Sequence, residues 1–444
     1  MIQQNKLAIL VGGGPAPGIN SVISAATIRA NLEGVEVLGV QDGFKWLMEG
    51  NVDHIRPLDI DDVSQIHFRG GSCIGISRAN PTKDPKHLEN TVVSLLRLGV
   101  TKLITIGGDD TCYSSMKIAE KAEGRLHVVH VPKTIDNDLE LPPHIDTFGY
   151  QTARHLGTEI VKNIMVDSTT TTRWYFIIAM GRSAGHLALG IGAAAGATLS
   201  LIPEEFKTDG TGKIPLKTLV DTLAGSIIKR MSAGKGHGVA VIAEGVVLNI
   251  NEDDLAGASN AERDAHGHLR IAEVNIGEIL KDEVQKRLKQ FSIKTTIVAK
   301  NIGYELRCMD PIPSDLEYTR QLGFCAAKHI LESGTQVMVS VQNGRFVPIP
   351  YAQMLDPKTG RTRARLVDLS SVKYGIARRF MIRLRKEDFE DAHELAKFAA
   401  TAGISLDNFR KEFEHVLKFE TPPLVFDPAK GSLANRHIEE SHKN

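Results

Sequence analysis

Short apolar runs rich in β-branched residues recur along the chain. Each gives way to glycine or acidic punctuation, and most then lead into a segment of helical period. Leu7–Val11 (LAILV) runs into GGGPAPGIN and a helix over Ser21–Asn31. Lys102–Ile106 (KLITI) runs into GGDDT and a helix through Lys117–Lys121, and Leu126–Val131 (LHVVHV) runs into PKTIDND. Trp174–Met180 (WYFIIAM) leads to GRSAGH and an alanine-rich helix, and Gly238–Ala243 (GVAVIA) leads to Glu244 and Gly245. Val337–Val341 (VMVSV) leads to an Asn-Gly turn. Fully apolar strands alternating with helices predict parallel sheets covered on both faces, an α/β fold. Ligands in such sheets bind just beyond the strand C-termini, and that is where the polar motifs fall.

A chain of 444 residues exceeds one core, and a prior of ~150 residues per domain suggests two or three. The pattern predicts two Rossmann-like three-layer lobes with mainly parallel sheets, plus a helical C-terminal extension. The boundaries read as 1–147, 148–384 and 385–444, with part of 303–384 able to return to the first lobe. Asn251–Leu269 reads as a surface loop and Ala272–Gln290 as an amphipathic helix. Lys386–Ala400 reads as a further helix, and Lys430–Asn444 as a mobile polar tail.

Composition narrows the class. Apolar residues are 42% and charged residues 24%, as in ordinary globular proteins. The 53 basic residues balance the 53 acidic ones, which argues against nucleic acid or an anionic membrane as partner. Cys73, Cys112, Cys308 and Cys325 form no CxxC pair, so neither a zinc site nor a disulfide frame is expected, as suits a reduced cytoplasmic protein. No signal peptide is evident at the N-terminus. The most apolar stretch, Leu187–Ile202, is broken by glycines and is shorter than the ~20 residues of a membrane helix.

The candidate chemistry lies in the loops. In GGGPAPGIN, glycine lets backbone amides approach a phosphate at a helix N-terminus. The motif has no Lys-Ser/Thr pair after Gly18, and Pro17 stands where a dinucleotide fingerprint needs glycine, so an unliganded tight turn is the alternative. In GGDDT, Asp109 is placed to hold a metal-bound phosphate, while Asp110 would repel a polyphosphate lying along the loop. Two N-capping aspartates are the alternative. PKTIDND offers Asp136 and Asp138 on one side of an extended segment, after Lys133 and Thr134. One carboxylate could accept a proton while its neighbour holds magnesium; a plain Asx turn is the alternative. Carboxylates for a metal, a cation for phosphate and a base for a hydroxyl make up the apparatus of phosphoryl transfer. Arg182 could pair with a phosphate and Met180 could line a sugar. Arg173 lies at the other end of the same strand, Glu244 could accept bonds from sugar hydroxyls, and Tyr304 with Arg307 could clamp a phosphate. Each of these is weak alone.

Together, GGGPAPGIN, GGSCIGISR (Gly70–Arg78), GGDDT, PKTIDND, MGR, AEG and GYELR stand in the order of the phosphofructokinase family, which the chain resembles from about Leu7 to Pro350. In that family ATP users carry glycine at the positions of Asp110 and Lys133. Aspartate with lysine there resembles the pyrophosphate-dependent branch. The resemblance implies Asp136 as proton acceptor from the sugar 1-hydroxyl, Lys133 as stabiliser of the transferring group and Asp110 as the residue that excludes ATP. It implies Asp109 and Asp138 at Mg2+, with Gly14, Arg78 and Lys133 on pyrophosphate. Thr134, Ile135, Asp136, Arg173, Met180, Gly181, Arg182, Glu244, Tyr304 and Arg307 would serve fructose 6-phosphate. Arg173 matches an arginine that reaches across a subunit interface, which implies a homodimer or homotetramer.

Two departures touch these roles. Val298 and Tyr304 replace an arginine and a histidine of the bacterial ATP enzymes, with Lys294 and Lys300 nearby as substitutes. Pro15 replaces an acidic residue of the ATP users. The rivals are an ATP-dependent enzyme of the same fold, a non-catalytic sugar-phosphate-binding regulatory subunit, and a nicotinamide or lipid kinase sharing the GGD turn.

Overall fold

The computed structural model describes residues 5–142, 144–206, 213–258, 274–355, 362–427 and 432–435. The chain divides into two compact units. One comprises Met1–Leu156 and Tyr304–Arg365, the other Gly157–Gly303 and Leu366–Asn444.

The first unit is built on a seven-stranded sheet. Its order is Ile349–Pro350, Val337–Met338, His127–Pro132, Val100–Gly107, Lys6–Val11, Glu36–Val40 and Ile55–Leu58. The five inner strands pair in parallel and each end strand pairs antiparallel. Lys6–Val11 and Val100–Gly107 are buried along nearly their whole length, which explains why they read as unbroken apolar runs. Ala8 and Leu10 join Val92, Leu95, Ile118 and Ala119 in one core cluster, so helices Pro85–Arg97 and Asp109–Ala122 cover one face. The alternate residues Leu7 and Ile9 are equally buried and point to the opposite face. Helices Ile19–Asn31 and Pro313–Leu331 pack against each other and against these strands.

Register places the loops. Val11 pairs with Ile106 and Gly107 pairs with Pro132, so three central strands end at one edge of the sheet. Their polar loops leave side by side.

The second unit carries a four-stranded parallel sheet ordered Leu199–Leu201, Gly238–Ala243, Trp174–Ala179 and Ile297–Ile302. The α/β class with mainly parallel sheets and a helical C-terminal region is the observed one. No helix among the described residues is long and apolar enough to cross a membrane.

Several local expectations are corrected. The single helix over Lys386–Ala400 is two, Lys386–Glu390 and Ala392–Thr401, because the Asp391 carboxylate accepts from the amides of His393 (2.9 Å) and Glu394 (3.2 Å) and starts a new helix. The strand over Val337–Val341 is interrupted: Val337–Met338 stays in the main sheet, while Val341–Gln342 forms a hairpin with Arg345–Phe346. The loop over Asn251–Leu269 contains a helix, Glu252–Ala258, and its later part lies outside the described residues. The next helix begins at Ile276 with Asn275 as its cap, and Ala272 and Glu273 lie outside the described residues. Within the polar tail, Ser432–Asn435 forms a strand paired with Leu424–Asp427, and the remainder lies outside the described residues. The C-terminal helices fold onto helix Leu216–Ser232: Lys229 pairs with Asp388, and Phe413 lies against Gly225.

Candidate active site

Four loops of the first unit converge at the sheet edge. The Gly12 amide donates to the Ile106 carbonyl (2.9 Å) and the Gly13 amide to the Ser77 carbonyl (2.8 Å), joining GGGPAPGIN to GGSCIGISR. The Lys133 amide donates to the Gly107 carbonyl (2.8 Å), joining PKTIDND to GGDDT. A Cβ on Gly12 would fall 2.5 Å from the Thr111 hydroxyl, so glycine is what lets the first and third loops touch.

Asp109 and Asp110 open helix Asp109–Ala122. The cap residue is Gly108 and makes no side-chain cap, so neither aspartate serves as the N-cap. Both side chains are exposed at a helix N-terminus, where the helix dipole favours negative charge.

Lys133 is buried, at 4% exposure, and its ammonium donates to the Gly14 carbonyl. Burial first, then the Arg307 charge, with Arg78 adding to the lowering and Asp136 and Asp138 opposing it, bring its pKa down to about 7. The Arg307 guanidinium lies directly over Gly14, where an added Cβ would fall 1.7 Å from Nη2. Lys133, Arg307 and Arg78 thus form a cationic cluster beside the half-buried backbone of Gly13 and Gly14, an arrangement that calls for an anion.

PKTIDND is held by its own side chains. The Thr134 hydroxyl accepts from the Asp136 amide (3.0 Å) and donates to Asp138 (3.1 Å). Ile135 is buried and anchors the loop. Asn137 is left-handed at φ 57°, a conformation that asparagine tolerates. The Asp138 carboxyl is pushed above its usual range, first by burial and then by the Asp109 charge. Two hard carboxylates that repel each other suit a divalent cation. Among the described residues no group of three His, Cys, Asp or Glu could hold a metal by itself.

In the second unit, Met180, Gly181, Arg182 and Glu244 come together. Gly181 has φ 133°, and its carbonyl accepts from the Gly245 amide (3.0 Å). A Cβ on Gly245 would fall 2.4 Å from the Arg182 carbonyl, so MGR and AEG lie against each other. Met180 packs on Gly303. Arg182 is exposed and Glu244 half-buried. Arg173 stands exposed before strand Trp174–Ala179, away from this group. Tyr304 and Arg307 belong to the first unit instead. Tyr304 is 79% exposed, with its ring 5.4 Å from the Arg307 guanidinium carbon.

Two supporting residues carry no sequence signal of their own. Asn20 donates to the carbonyls of Arg69 and Gly70 (both 3.2 Å) and accepts from the Cys73 amide (2.8 Å), which fixes the loop leading to Arg78. His130 lies within 3.0 Å of the Gly107 carbonyl through Nε2 and 2.8 Å of the Thr105 hydroxyl through Nδ1. Burial takes its pKa down to about 3, so it is neutral, and Nε2 donates to Gly107. The Gly107 carbonyl therefore accepts from both His130 and the Lys133 amide.

The phosphofructokinase family model matches residues 6–330. The chain is 49% identical over 415 residues to a pyrophosphate–fructose 6-phosphate 1-phosphotransferase of Thermotoga maritima, covering 92% of this chain and 98% of that one. It is 47% identical over 418 residues to the enzyme of the same name from Naegleria fowleri, covering 93% and 96%. The chain belongs to the phosphofructokinase family. A solved pyrophosphate-dependent phosphofructokinase from Marinobacter aquaeolei has the same fold as this phosphofructokinase chain, with a TM-score of 0.63 at 15% identity, over 90% of this chain and 92% of that one. The phosphofructokinase of Pichia pastoris in its T-state aligns at a TM-score of 0.62 and 19% identity over 94% of this chain, which spans 39% of the yeast chain's length.

Proposed function

We propose that this phosphofructokinase catalyses reversible phosphoryl transfer from pyrophosphate to the 1-hydroxyl of fructose 6-phosphate. The products are fructose 1,6-bisphosphate and phosphate, in glycolysis and gluconeogenesis. The observation that carries this reading is the meeting of Lys133 with Gly14, at the sheet edge where helix Asp109–Ala122 begins with Asp109 and Asp110 exposed. The relatives that carry the pyrophosphate enzyme's name at 49% and 47% identity support the same donor.

Asp136 takes the proton from the sugar 1-hydroxyl as that oxygen attacks, and phosphate leaves. Lys133 steadies the charge spreading over the transferring group. Gly14 and Arg78 bind pyrophosphate through backbone and guanidinium. Arg307, assigned to the sugar phosphate, gains a donor-side role from its place over Gly14. Thr134, Ile135, Met180, Gly181, Arg182, Glu244 and Tyr304 receive fructose 6-phosphate. Asp109 and Asp138 would hold Mg2+, which when bound neutralises charge on the phosphate oxygens. Arg173, exposed and at the opposite end of strand Trp174–Ala179 from Met180, would meet a second copy in a homodimer or homotetramer. A coupled assay with pyrophosphate and ATP side by side tests the donor. Phosphorylation of fructose 6-phosphate by ATP alone would reject the reading.

Two further results are expected. Lys133 is cationic below about pH 7 and neutral above it, so kcat/KM for pyrophosphate falls as pH rises through about 7. Lys133→Arg, always charged, loses the part of that decline due to the lysine. An identical profile in the variant would contradict it. Gly14→Ala puts a methyl group where the Arg307 guanidinium sits. Steady-state kinetics are expected to show KM for pyrophosphate raised by ~10-fold or more, the scale of one charge-assisted hydrogen bond. The arginine tip can swing away, so the melting temperature changes little.

A further inference from the structure

Arg365 lies 229 positions beyond Asp136, in a stretch without any chemical motif, yet it grips the loop that carries the base. Its Nε donates to the Asn137 carbonyl (3.1 Å) and its Nη2 to the Asn137 side-chain oxygen. Its Nη1 reaches the carbonyls of Ile145 (2.6 Å), Pro142 (3.2 Å) and Leu141 (3.3 Å). Its own amide donates to the Asp138 carbonyl (2.8 Å), and Ala364 bridges to Leu139. One guanidinium therefore ties the two ends of segment 137–145 together.

The grip falls on the residue that sets the aim of both aspartates. Asn137 stands between Asp136 and Asp138 in a left-handed conformation. Its side-chain oxygen also accepts from the Thr147 amide (2.9 Å), and its side-chain amide donates to Asp146 (2.7 Å). A left-handed turn of a non-glycine residue persists only where its surroundings over-determine it. Losing Arg365 would let this turn relax and redirect the neighbouring carboxylates. No motif reading assigns Arg365 a role.

We propose that Arg365 is a positioning residue, a clamp that holds the Asp136–Asp138 turn in the geometry needed for phosphoryl transfer. The proposal rests on the assignment of Asp136 as the base. A planar fork with fixed donor directions can serve this set of carbonyls, and a lysine ammonium cannot. The effect belongs in turnover rather than affinity, because a misaimed base weakens the transition state more than the bound sugar.

The test uses the full chain assayed with pyrophosphate and fructose 6-phosphate. Arg365→Ala is expected to lower kcat by ~100-fold, the scale of a displacement of about 1 Å at a reacting group. Both KM values should stay within ~3-fold of the parent, as expected when only transition-state contacts are lost. Added guanidinium ion should restore part of the rate to Arg365→Ala and not to the parent. Arg365→Lys should not recover the rate, and it carries the test if the alanine variant fails to fold. In the Asp136→Ala background, Arg365→Ala should cost much less than it does in the parent, since the two act largely as a unit and only the effect through Asp138 remains. Turnover unchanged in both Arg365 variants, or a loss confined to KM, would overturn the clamp. A further full loss on top of Asp136→Ala would do the same. If Asp136→Ala alone keeps full turnover, the base assignment fails, and that outcome is separate from either Arg365 result.

Discussion

Replacing Asp136 with alanine is expected to reduce turnover at least ~100-fold in both directions, the scale of a lost general base. Asp136 is half-buried in a turn whose amide is fixed by the Thr134 hydroxyl at 3.0 Å. It is also among the charges that act on Lys133. A carboxylate so placed can receive the proton of the attacking hydroxyl close to the cation that meets the developing charge. The main-chain frame is held by Thr134, Asn137 and Arg365. The alanine variant should therefore fold with a melting temperature close to the parent's, and its binding of fructose 6-phosphate should persist. Steady-state rates with thermal unfolding on the same samples decide the matter. A stable variant with parental kcat would remove Asp136 from the chemistry.

The second large effect concerns the donor. Changing Asp110 and Lys133 together to glycine is expected to lower kcat/KM for pyrophosphate by ~1000-fold, the upper range for removal of a preorganised electrostatic contact. The same protein should acquire measurable turnover with ATP. Asp110 stands exposed in the first helical turn, so its removal costs little stability and lifts the repulsion that a nucleotide phosphate tail would meet. Lys133 is buried against Gly14, and its removal opens room over the loop. The two single variants separate the effects: Lys133→Gly carries most of the loss with pyrophosphate, and Asp110→Gly most of the gain with ATP. Undiminished pyrophosphate activity in the double variant would contradict both roles.

Much of the fold was legible because buried parallel strands write themselves as unbroken apolar runs. KLITI falls inside the observed strand Val100–Gly107, and WYFIIAM nearly matches Trp174–Ala179. Helix boundaries were harder. Asp391 sits three residues before Glu394, the spacing of a capping signal, and the long polar run around it hid the break. The convergence of GGGPAPGIN, GGDDT and PKTIDND was also legible, since each follows a strand and parallel strands share an edge. What sequence alone could not supply was contact between remote segments. Arg307 lies 293 residues from the Gly14 it covers, and Arg365 lies 228 from the Asn137 it holds. No local period or turn chemistry encodes such meetings; they follow from where the chain re-enters the first unit.

That re-entry sets a schedule for synthesis. The parallel sheet of the first unit is finished only when Val337–Met338 pairs with His127–Pro132, and its last guanidinium arrives with Arg365. At translation rates of about 5–20 residues per second, the ribosome needs roughly ten to forty seconds to travel from Pro132 to Val337. For that interval the nascent strand His127–Pro132 offers an unpaired apolar edge, a surface for chaperones to shield. A messenger cut short after Gly303 would yield a polypeptide with no Arg307, no Arg365 and an open sheet.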